Sequence, residues 1–139
     1  IERLQNFINI QVAKQTIRPE IIRVNIIRDN DRTTNMSAST SGIIFINSDL
    51  FDFLEYEEIE AFAAHELIHI FYNDQGSRPD IELRCDKESL AFGGNRDNLL
   101  SGLRKIHNHH KIPLSIWSET HPSYHTRQDN LRTNEEKTE

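Results

Sequence analysis

The chain reads as an α+β protein in which a small mixed sheet of three strands packs against helices. Three observations predict this. Apolar side chains alternate over residues 22–26, Ile43–Ile46 form a short apolar run, and residues 56–72 switch to helical spacing. Taken in order, Leu4, Phe7, Ile8 and Val12 form a stripe that predicts a first helix, with a break at Pro19. Ile22, Val24 and Ile26 then read as a half-buried strand, and Asp29-Asn30-Asp31 as a turn. Met36 to Thr40 is a short polar strand, Ser41-Gly42 a turn, and Ile43 to Ile46 a buried strand. From Tyr56 to Tyr72, Ile59, Phe62, Ala63, Leu67, Ile70 and Phe71 repeat at helical spacing, with Glu57-Glu58 at the end that favours acids. Gly76 and Pro79 mark a loop. A helix is expected from Asp80 to Phe92, ending at Gly93-Gly94. Leu99, Leu103 and Ile106 predict another after Asp97. Residues 111–120 look irregular, a last helix starts at Pro122 because proline suits the first helical position, and residues 133–139 form a frayed polar tail.

At 139 residues the chain is expected to be one domain spanning residues 1–139, large enough to bury a core without disulfides. No apolar run approaches the roughly 18 residues of a membrane span. A net charge of −6 argues against a nucleic-acid partner and against a polybasic membrane segment. The single cysteine, Cys85, cannot form an internal disulfide, and no charged-then-apolar leader opens the sequence. The expectation is a soluble, cytoplasmic protein.

The chemistry concentrates in His65-Glu66-Leu67-Ile68-His69, inside the strongest helical pattern. Residues four apart on a helix differ by about 40° in azimuth and about 6 Å along the axis, so both imidazoles reach one ion from one face. Glu66 lies on the adjoining flank, placed to take a proton from water without itself ligating. At this composition chance yields such a motif with a probability of about 0.03. A catalytic zinc needs three protein ligands and one open position. Glu82, beyond the Gly76/Pro79 loop, is the leading third ligand. Asp86, one turn later, can hold the second ring N–H of a ligating histidine. Cys85 reads as a buried free thiol, and His107, His109 and His110 as solvated residues at a helix end.

These blocks, together with His121-Pro122-Ser123-Tyr124-His125-Thr126-Arg127, resemble the gluzincin metallopeptidases. The sequence is nearest to the catalytic domains of the heat-shock membrane protease and CAAX prenyl endopeptidase group, whose pattern is H-E-x-x-H, E-x-x-A-D and H-P-x-x-x-x-R. The likeness runs over roughly residues 35–132 and describes a soluble, minimal form of such a zincin-like domain. It implies one zinc ion per chain, held by His65, His69 and Glu82, with Glu66 as general base. It also implies Asp86 and Arg127 behind the ligands, His121 and Arg127 near the substrate or the tetrahedral intermediate, and Ser37, Ala38 and Ser39 pairing with an extended peptide. The activity implied is hydrolysis of peptide bonds in a peptide or unfolded protein. Two alternatives stand beside it: a regulatory zinc protease that cleaves repressors, and a zinc-stabilised interaction module without turnover. The acidic tail could also reach the cleft and keep an enzyme latent.

Overall fold

The computed structural model describes residues 1–30, 36–111 and 122–132. Among these the chain forms a three-stranded mixed sheet and six α-helices. Most of the expected irregular stretch 111–120, His121 and the tail 133–139 lie outside the described residues.

Helix α1 (Glu2–Lys14) buries Leu4, Ile8 and Val12. The chain then enters β1 (Asn25–Arg28), crosses to β2 (Met36–Ser39) and returns through a tight turn to β3 (Ile43–Ile46). The spatial order is β1-β3-β2, with β3 parallel to β1 and antiparallel to β2. Gly42, at φ 108°, makes the turn between β2 and β3. The outer side of β1 is covered from α1: the Gln5 amide donates to Val24 O and accepts from Ile26 N–H, both at 2.9 Å. A side chain thus satisfies backbone groups that would otherwise invite another strand.

Strand β1 is shorter than the alternation suggests. Ladder pairing begins at Asn25 opposite Ile43, and Asn25 N–H donates to Gly42 O at 3.0 Å where the turn ends. Ile22, expected on a buried face, is 86% exposed, whereas Val24 is fully buried. A further helix that the sequence did not announce, α2 (Leu50–Phe53), follows the sheet and buries Leu50.

Helix α3 (Tyr56–Phe71) is the centre of the molecule. Eleven of its sixteen residues are buried, Glu58 and His65 among them, so it is enclosed around most of its circumference. Helices α1, α4 (Pro79–Glu88) and α5 (Arg96–His109) pack on it, and so does β2. Proline stands at the first position of α4, not of the last helix as expected. There, Pro122 precedes the cap Ser123, whose hydroxyl accepts from Thr126 N–H at 3.2 Å, and α6 runs from Tyr124 to Asn130. After Glu88 the chain tightens into a 3-10 turn, Ser89–Phe92, closed by Gly93 in the left-handed region at φ 84°. No helix among the described residues is long and apolar enough to cross a membrane.

Candidate metal centre

His65 and His69 lie one turn apart on the face of α3 turned toward α4, and α4 brings Glu82 to meet them. Glu82 Oε2 is 2.7 Å from His69 Nε2 and 3.4 Å from His65 Nε2. All three side chains are largely shielded from solvent, Glu82 most of all at 3% exposure. Cys85 completes a group of four whose donor atoms all lie within 4.8 Å of one another and which could hold a metal ion. The four do not stand alike. Cys85 Sγ approaches the Nδ1 side of the His69 ring, at 3.5 Å, rather than the nitrogen that faces Glu82. Burial pushes its thiol pKa up.

Each imidazole is backed on its other nitrogen by a carboxylate. His65 Nδ1 is 2.7 Å from Asp86 Oδ1, and Asp86 is fully buried. Arg127, from α6, grips Asp86 with two bonds, Nε to Oδ2 at 2.7 Å and Nη2 to Oδ1 at 2.6 Å. His69 Nδ1 is 2.9 Å from Asp74 Oδ2, and Arg84 donates to that same oxygen.

The electrostatics follow from this crowding. Burial by itself would lower the pKa of His65, but hydrogen bonds to Asp86 and Glu82 outweigh it and raise the value to about 10. His69 is also raised against its burial, by the Glu82 hydrogen bond and the nearby Glu66 charge. Burial pushes Asp86 upward, yet Arg127 and His65 hold it below the usual carboxylate range. Four carboxylates (Glu66, Asp74, Glu82, Asp86) meet two guanidiniums (Arg84, Arg127), and Arg84 is shared with Glu88, so the cluster is left net negative. Protons on the imidazoles reduce that charge, and a divalent cation would do the same.

The chain matches no known protein family, no characterised protein and no solved structure. The site therefore rests on its own geometry.

His65, His69, Glu82 and Asp86, all singled out from spacing, come together. Glu66 is half-buried on the adjoining flank, near enough for its charge to act on His69 and Arg127. Arg127, expected behind the ligands with Asp86 as well as near a substrate, is 6% exposed and engaged with Asp86. A carboxylate with no solvent around it requires a close cation, and that requirement draws the arginine inward. His121 lies outside the described residues. Ser37, Ala38 and Ser39 form most of β2, at the sheet edge beside α3, with Ala38 packed on the core. Of the remaining histidines, His125 is exposed on α6, and His109 stacks on Phe53 with ring centroids 4.2 Å apart. Spacing missed Asp74 and Arg84. The signal available was the Asn73-Asp74 pair directly after a helix, a common way to end one.

Proposed function

We propose that the protein is a zinc-dependent endopeptidase. The observation that carries this reading is the convergence of two imidazole Nε2 atoms on one buried Glu82 oxygen. The donor set fits the ion: two histidines and a carboxylate leave a fourth position open, as catalytic zinc sites do. Both imidazoles are also braced through Nδ1, as ligating histidines usually are. A zinc ion there would polarise the substrate carbonyl and bring the pKa of water near neutrality. His65, His69 and Glu82 hold the ion, and Asp86 and Arg127 fix the plane of His65. Glu66 accepts the proton of the attacking water and passes it to the departing amine. An extended peptide lies antiparallel along Ser37–Ser39, held by main-chain hydrogen bonds. The covered outer side of β1 supports this choice of edge. His121 donates to the carbonyl oxygen as charge builds on it.

A second reading is favoured by Cys85. If its thiol became a fourth ligand, the site would close and serve structure alone. One set of measurements decides between the two. The purified protein should carry about one zinc per chain and cleave unfolded casein, and a chelator should stop the cleavage. Glu66→Ala should keep the zinc and lose nearly all turnover, because it removes only the base. Cleavage by wild type and Glu66→Ala at equal rates would overturn the peptidase reading. Zinc without cleavage, with the zinc lost in Cys85→Ser, would establish the closed site.

A further inference from the structure

The second carboxylate of the site, Asp74, comes from the turn that ends α3. Tyr72 caps the helix and Asn73 takes a left-handed φ of 53°. Asn73 N–H donates to Ile70 O and Asp74 N–H donates to His69 O, both at 3.1 Å. These two bonds make a Schellman turn, with asparagine where glycine usually stands. The second bond ties the backbone of residue 74 to that of residue 69. The Asp74 side chain, 8% exposed, then folds back so that Oδ2 meets His69 Nδ1 at 2.9 Å. Arg84 pins the same oxygen from α4, and its guanidinium lies 4.4 Å above the Tyr72 ring.

We infer that Asp74, braced by Arg84, is the positioning residue of His69: it holds Nδ1, so that Nε2 is the nitrogen left to ligate an ion beside Glu82. The inference rests on the metal-site reading above. A neutral imidazole holds one proton, and only the other nitrogen can bind a metal. A charged acceptor at Nδ1 settles which nitrogen that is and makes the ligand more basic. The arrangement repeats the His65–Asp86–Arg127 arm with a different origin. Asp86 must be delivered by another helix, whereas Asp74 is delivered five residues after the histidine it serves. The setting of His69 is thus written into the end of its own helix.

The test is zinc affinity, measured by competition with a coloured chelator, for wild type, Asp74→Ala and Asp74→Asn. Ring-nitrogen NMR shifts of the zinc-loaded proteins and circular dichroism of the metal-free ones accompany it. Asp74→Ala should weaken zinc binding about 10- to 100-fold with the fold intact. Asp74→Asn should fall between, because a neutral acceptor bonds less strongly than a charged one. Wild-type His69 should show its proton on Nδ1 and the metal on Nε2. Equal affinities in the three proteins, or a metal on His69 Nδ1, would overturn the inference. If Asp74→Ala fails to fold, the asparagine variant decides: a several-fold loss supports the inference and no loss overturns it. A wild-type chain that binds no zinc overturns the metal reading itself, and this inference with it. Tight binding unaffected by either substitution overturns this inference alone.

Discussion

Asp86 has no solvent contact, and it answers to three hydrogen bonds from two cationic side chains. Removing it would leave Arg127 in the interior without its hydrogen-bonded partner, with only the more distant charges of Glu82 and Glu66. Breaking a buried pair from one side typically costs about 3–5 kcal/mol, most of it the penalty of the orphaned charge. Asp86→Ala should lower unfolding stability by about that amount in a urea titration. Asp86→Ala combined with Arg127→Leu should recover a large part, since no charge is then left alone. Strictly additive losses would show that the pair is not coupled. Zinc binding should also release protons, because both imidazoles are raised and a ligating nitrogen must give its proton up. Calorimetry in buffers of different ionisation enthalpy should report proton release on zinc uptake, and affinity should fall as pH falls. Zinc uptake without proton release would mean that the imidazoles are already neutral. At this scale the sequence was informative wherever helical spacing decides neighbourhood: His65 with His69, Glu82 with Asp86. It was silent on Asp74 and Arg84, because their meeting depends on a left-handed residue in a turn and on the docking of a second helix.

Helix α3 is anchored at its start as firmly as at its end. Glu58 Oε1 accepts from Glu55 N–H at 2.8 Å and from Lys105 Nζ at 2.7 Å, while Ser101 donates to the other oxygen. Burial pushes the Glu58 pKa up, but Lys105, Ser101 and the Glu55 amide together bring it below 4.5. A folded pKa below the unfolded one gives stability that is present above pH about 4.5 and lost as pH falls through the folded value. Glu58→Gln should therefore be less stable at neutral pH and lose less than wild type on acidification below 4.5, followed by thermal melts across pH. An unchanged acid limb would remove Glu58 from the account. Further along, α5 approaches α3 closely at Gly102, where an added Cβ would sit 2.7 Å from the Phe62 ring. Gly102→Ala gains helix propensity of about 1 kcal/mol but overpacks a buried contact at about 1–3 kcal/mol. A net loss of stability in chemical denaturation is expected; a gain would mean that Phe62 can move aside. Periodicity located α3 to within a residue, whereas the helix expected from Asp80 to Phe92 gives way to a 3-10 turn at Ser89. It failed at α2, a single turn too short to show a period, and at β1, whose extent is set by the length of its partner β3.

Across the whole molecule, the candidate ligands sit on α3 and α4, while α6 braces them through Arg127 and through Asn130 Nδ2, which donates to Leu83 O at 2.9 Å. Such a constellation exists only when all three helices are docked, so an ion that binds it binds the folded chain alone. Mass action then adds about 2.7 kcal/mol of stability at a free-ion concentration 100 times Kd. The melting temperature should climb with zinc concentration and return to the metal-free value with excess chelator, read by differential scanning fluorimetry. Indifference to both would exclude linkage between ion and fold. The order β1-β3-β2 was not legible, because alternation reveals which face a strand buries and not which strand lies beside it.

The chain's one cysteine lies fully buried against the imidazole of His69. No reagent in solution can touch that sulfur while the helices stay closed, so thiol–disulfide exchange has to wait for a fluctuation that parts them. Cys85 is thus a built-in clock for the breathing of this region, readable with an ordinary chromogenic disulfide. Its labelling half-time in the native protein should be far longer than in urea, and longer again once zinc has joined α3 to α4.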